Sequence, residues 1–208
     1  MATAILSGIA KSLWGFAPNL MPQIVEQNGP VSALSWFVRN MPRYEQTRTA
    51  LGPIRTHILG TAISVLNGCL YCTYGHAYAL ELCYLSEHGA LFPLDEEQII
   101  GLSKLSEQDV TAQLRQALLA AGLPHEVEVL HRLLQLRSRT VAPLDAHDRR
   151  LQHLIDMFTV LNSCGVRGKI PPDQAHDPIN RNRLIKQRYA EARRRAAGTE
   201  PVTQRELI

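Results

Sequence analysis

An all-α fold is what this 208-residue sequence predicts. Apolar residues recur three and four apart in segment after segment, alternating Val/Ile/Thr-rich runs are hard to find, and Pro and Gly stand where helices begin and end. Ile5 to Trp14 reads as a short amphipathic helix ended by "GFAP". "MPQIVEQNG" is a second, with Pro22 in its first turn and Gly29 at its end. Pro30 opens "PVSALSWFVRNM", where Leu34, Phe37 and Val38 keep helical spacing. From about Arg48 a longer segment runs to Leu66, interrupted by "GP" at 52–53. "NG" at 67–68 separates it from a helix over about Cys69 to Glu87.

Asp95 caps "EEQIIGLSKL", whose acidic residues sit in the first turn where the helix dipole favours them. "DVTAQLRQALLAAG" and "PHEVEVLHRLLQLRSR" follow as amphipathic helices, the first closed by Gly122. "DAHDRRLQHLIDMFTVLNSCG" reads as the last core helix, with Leu151, Leu154, Ile155, Phe158 and Leu161 on its inner side. The expected organisation is one helical domain over residues 1–166, then a basic C-terminal loop and helical tail over 167–208.

The charge supports that division. From Arg167 onward there are ten Lys/Arg and five Asp/Glu, against an overall formal charge of +3. A basic tail can touch nucleic acid or lipid, but nothing beside it supplies a nucleic-acid fold, so a helix packed on the body or on a neighbouring subunit is the expectation. Ile58 to Leu80 lacks Asp, Glu, Lys and Arg over 23 positions. That is close to the length of a membrane span, but "NG" breaks it and Asn67, His76 and three tyrosines make it poorly apolar, so a helix pair buried on nearly all sides is expected, and no membrane. The N-terminus has no basic segment before its apolar residues and carries Lys11 among them, which points to a cytoplasmic protein.

The chemistry concentrates in "LNGCLYCTYGHAYAL", residues 66 to 80. On a helix Cys69, Cys72 and His76 lie three and four apart and share one face. Cys69 falls in the first turn, where free N–H groups and the positive dipole end favour a thiolate, and His76 can take the thiol proton of Cys72. Three readings are open at this point: a zinc site, ordinary packing of small buried thiols, and a reactive dithiol. Zinc needs a fourth ligand, and Cys83 lies about 16 Å along the helix from Cys72 at the usual rise, too far for one tetrahedral ion. The residues favour the dithiol, with no metal and no cofactor. His88, His125, His131, His147, His153 and His176 are scattered without ligand spacing; Tyr71, Tyr74 and Tyr78 form a stripe of the kind usual in cores; Cys164 reads as a packed thiol.

"LNGCLYCTYGH" resembles the CxxCxxxH signature of the AhpD-like (alkylhydroperoxidase, carboxymuconolactone decarboxylase) superfamily. "SLWGFAPNLMPQIV", "PLDEEQI" and "LIDMFTVLNSCGV" fit the same pattern, so the likeness covers roughly residues 14 to 166. It implies an AhpD-like helical bundle that forms a dimer, trimer or hexamer, and a thiol-dependent hydroperoxidase or disulfide reductase. By that likeness Cys72 attacks a peroxide or small-molecule substrate, Cys69 resolves the sulfenic acid to a disulfide, and a dithiol reductant of lipoyl type restores the pair, with His76 in the proton relay. The family usually has a Glu twelve residues before the first Cys, where this chain has His57. An imidazole there can accept and return a proton, or can serve packing or the substrate side instead. The family's lyase branch generally works without the cysteine pair, so the intact CxxC argues against a carboxymuconolactone decarboxylase-like reaction. A non-catalytic, redox-responsive helical oligomer is the third alternative.

Overall fold

The computed structural model describes residues 1–198; residues 199–208, the end of the expected basic tail, lie outside the described residues. Ten α-helices and no strands occur among the described residues, so the fold is all-α.

The centre is a hairpin of α4 (Pro53–Leu66) and α5 (Leu70–His88), the most extensively packed pair of elements. Every residue from Thr56 to Val65 is buried, which is why that stretch carries no charge. Each Leu or Ile hidden there contributes about 1.5–3 kcal/mol through burial of apolar surface. α9 (Ala146–Gly168) lies against both members of the hairpin and buries Leu151, Leu154, Ile155 and Phe158; Leu161 is half-buried. α7 (Glu107–Ala120) and α8 (Pro124–Arg137) pack on α4, and α8 also meets α9. On the other side, α1 (Ala2–Trp14), α2 (Met21–Asn28) and α3 (Pro30–Leu51) bring the N-terminal quarter of the chain onto α4 and α9.

One boundary differs from the sequence reading. α3 runs unbroken from Pro30 to Leu51, so residues 48–51 continue that helix and do not open a new one, while the chain breaks at the expected "GP", with the next helix beginning at Pro53. Pro42 is accommodated inside α3. The carbonyl its missing N–H would have met belongs to Val38, which is 71% exposed, so water can take the place of the lost bond.

The capping of α6 (Glu96–Gly101) is as the sequence implied: Asp95 accepts from the Gln98 N–H at 2.8 Å, and the Gln98 side chain accepts from the Asp95 N–H at 2.9 Å. After α9 the chain crosses the hairpin through residues 170–177 and a short 3₁₀ turn, Pro178–Arg181. It then forms α10 (Arg183–Ala196) on the outer side of α5. Arg193 of α10 reaches the fully buried Glu81 of α5 at 2.5 Å, which fastens this basic helix to the body. No helix among the described residues is long and apolar enough to cross a membrane.

Candidate active site

Cys69 is the N-cap of α5, and its sulfur accepts the Cys72 N–H at 3.3 Å. It stands where Ser or Asp usually satisfies a free N–H at a helix start. The Cys72 thiol and the N–H groups of Cys72 and Tyr71 hold the Cys69 thiol below its ordinary range against the effect of burial. Burial pushes Cys72 well up, and the hydrogen bond and charge of Cys69 push it further. Of the two, Cys69 is therefore the thiol that gives up its proton more readily. All four cysteines are buried free thiols.

Gly165 of α9 makes room for the pair. A Cβ at that position would fall 2.6 Å from Cys69 Sγ and 3.7 Å from Cys72 Sγ, so only glycine lets α9 approach the sulfurs this closely. Gly60 does the same for His76, whose ring carbon Cγ would meet a Cβ there at 2.8 Å. Two helices thus give up side chains at the two places where the cysteine pair and His76 sit.

Cys72 and His76 line a cavity of about 40 Å³, closed mainly by apolar groups such as Tyr44, Tyr71, Phe158 and Leu20. At about 10–15 Å³ per water, this holds some three water-sized molecules. Cys69 is not among its walls, so Cys72 is the sulfur that faces the space. His76 is buried and its ring lies 4.5 Å from that of Phe158. Burial, then the neighbouring His57 and His176, hold its imidazole well below the usual histidine value, so at neutral pH it is an uncharged base.

The structure brings all four expected residues, Cys69, Cys72, His76 and His57, into one region. His57 meets the pair through His76: the two Nδ1 atoms are 3.2 Å apart. The other nitrogen, His57 Nε2, is 3.0 Å from Asp177 Oδ2. Arg48 Nη1 also donates to that oxygen at 3.2 Å, and Asp177 Oδ1 accepts the Ile179 N–H at 2.8 Å. Burial alone would raise the Asp177 carboxyl, but His57, the Ile179 N–H and Arg48 outweigh it and hold it below the ordinary range.

The same crossing segment supplies Asp173 and His176. Asp173 Oδ2 accepts from the Tyr71 hydroxyl at 2.8 Å and from the Asn19 N–H at 2.9 Å. The His176 N–H donates to the Gly75 carbonyl at 3.0 Å, and its ring lies 4.8 Å from that of Tyr71. His176 thus helps wall the cavity, although its sequence spacing places it among the scattered histidines. Sequence reasoning misses Asp173 and Asp177 altogether. The signal is present in "PPDQAHDP", three titratable residues within five positions of a loop.

His57, Cys83 and Asp177 also place one donor atom each within 4.8 Å of one another, the arrangement closest to a metal site among the described residues. Asp177 already accepts three hydrogen bonds there, and the Arg48 cation balances its charge. The cluster is satisfied by the protein's own groups. No family model, curated protein or solved structure matches the chain.

Proposed function

We propose that the protein is a thiol-dependent hydroperoxidase or disulfide reductase in which Cys72 is the attacking sulfur and Cys69 the resolving one. The observation that carries this reading is the cavity wall shared by Cys72 and His76, with Cys69 directly behind at the helix start. Acidity by itself would select Cys69; position selects Cys72, because it lines the cavity and Cys69 does not.

His76 takes the Cys72 proton, and the thiolate attacks the terminal oxygen of a hydroperoxide. The O–O bond breaks, the alkoxide leaves with the proton from His76 as an alcohol, and Cys72 becomes a sulfenic acid. The Cys69 sulfur then attacks the Cys72 sulfur, the hydroxyl leaves as water with the proton of the Cys69 thiol, and a disulfide forms. An external dithiol, of lipoyl type by the AhpD-like resemblance, returns both electrons by thiol–disulfide exchange. The positions suit the exchange, since residues three apart at a helix start lie at about the Cα separation a disulfide spans.

The test is hydroperoxide consumption by the full chain with dithiothreitol as reductant. Wild-type protein should turn over, and Cys72→Ser should lose at least about a hundredfold in rate, the scale of losing a covalent nucleophile with its base. Consumption unchanged in Cys72→Ser would refute the assignment.

A further inference from the structure

Deepening the reading just proposed, on which it rests, we infer that Asp177 is a positioning residue: acting through His57, it fixes the tautomer that makes His76 a base toward Cys72. The carboxylate can only accept a hydrogen bond, and its Oδ2 faces His57 Nε2 at 3.0 Å. His57 Nε2 therefore carries the hydrogen. In the neutral ring its Nδ1 is then a bare acceptor, facing His76 Nδ1 at 3.2 Å. His76 must donate from Nδ1, which leaves the lone pair on its Nε2. The assignment follows from the hydrogen-bond network and from no observed hydrogen.

The same chain gives the proton a route. When Cys72 releases its proton through a water held in the cavity that both residues line, His76 Nε2 accepts it, and the His76 Nδ1 proton can pass to His57 Nδ1. The positive charge then rests on His57, beside Asp177 and one residue further from the new thiolate. Asp177 is fit to receive it: it is buried, capped at Oδ1 by the Ile179 N–H, and fixed at Oδ2 by Arg48, itself 3.1 Å from Glu45. A carboxylate directly against His76 would do the same in one step. Here the negative charge comes from a segment 120 residues away in sequence, with His57 bridging the gap.

The groups that face this pair come from three elements. α3 presents Arg48 and the Tyr44 hydroxyl, α5 presents Cys72 and Cys83, and the crossing segment presents His176 and Asp177. Asp177 is the carboxylate in contact with either ring.

Two measurements on the full chain test the inference. The first is ¹⁵N NMR of the histidine rings in wild-type protein at neutral pH. The expected spectrum shows His76 protonated at Nδ1 and bare at Nε2, the less common tautomer in water; His76 protonated at Nε2 overturns the proposal whatever the enzyme's activity. The second is the rate of Cys72 oxidation by hydrogen peroxide, a probe small enough for the cavity, across pH. Asp177→Asn should slow it about a hundredfold at pH 7 and move its rise to higher pH. His57→Glu combined with Asp177→Asn should recover the rate to within about tenfold, because the introduced carboxylate would meet His76 directly. A folded Asp177→Asn protein that reacts at the wild-type rate, or a double variant as slow as the single one, overturns the positioning role. Wild-type protein inert to hydroperoxide would refute the proposed function instead, and the NMR tautomer would still report on Asp177.

Discussion

Gly165→Ala is a substitution whose sign the structure determines. In an ordinary helix interior, replacing Gly by Ala stabilises by about 1 kcal/mol. At Gly165 the new methyl would lie 2.6 Å from Cys69 Sγ, where non-bonded atoms need about 3.5–4.0 Å. The sulfur or α9 must therefore shift by roughly 1 Å. Overpacking of that kind costs about 1–3 kcal/mol, so the variant should come out neutral to about 2 kcal/mol less stable than wild type. The displaced atom is the resolving sulfur, so disulfide formation after hydroperoxide addition should slow as well. Urea denaturation gives the first quantity and stopped-flow thiol loss the second. Combining the change with Cys69→Ala removes the clash, and in that background Gly165→Ala should recover its stabilisation of about 1 kcal/mol. If Gly165→Ala alone stabilises by that amount and leaves oxidation unchanged, α9 does not press on Cys69 and the described geometry is wrong.

Other predictions concern charge. Burial pushes the Glu81 carboxyl up to about 8 against the pull of Arg193. Arg193→Ala should cost about 3 kcal/mol, the low end for an orphaned buried charge, because Glu81 can take up a proton. A carboxyl raised in the folded state loses stability as pH rises through its folded value, so this deficit should grow from pH 6 to pH 9; urea midpoints that fall equally at both would contradict it. His76 behaves oppositely. Its folded value is depressed by burial, so below about pH 6.5 the unfolded chain takes a proton that the folded chain refuses, and stability falls as pH falls. His153, lowered to about 4, adds to the same fall. A single such histidine gives a slope of up to about 1.4 kcal/mol per pH unit. His76→Gln should flatten the wild-type slope between pH 6.5 and 5 without abolishing it; an unaltered slope would mean that His76 is not held neutral.

What the sequence made legible was what depends on neighbours in the chain. Gly15, Gly29, Pro53 and Asn67 mark helix ends because backbone geometry and missing N–H groups act locally, and the Cys69–Cys72–His76 spacing needs only helical periodicity. Pro42 inside α3 is the converse case, since its cost depends on whether Val38 meets water, a tertiary fact. The site beyond the motif was hidden by distance. His57 is linked to Asp177 across 120 positions and Tyr71 to Asp173 across 102, contacts that no local pattern encodes. Of the residues read as the start of a basic tail, His176 lines the cavity, while Asp173 and Asp177 bond to Tyr71 and His57 around it.

The most direct measurement of the central claim is mass spectrometry of the full chain after one equivalent of hydrogen peroxide. The account predicts a single Cys69–Cys72 disulfide, with Cys83 and Cys164 still alkylatable. In Cys69→Ser protein it predicts a sulfenic acid trapped by dimedone on Cys72. Dimedone on Cys69 in Cys72→Ser protein with none on Cys72 in Cys69→Ser, or four alkylatable thiols after exposure, would contradict it.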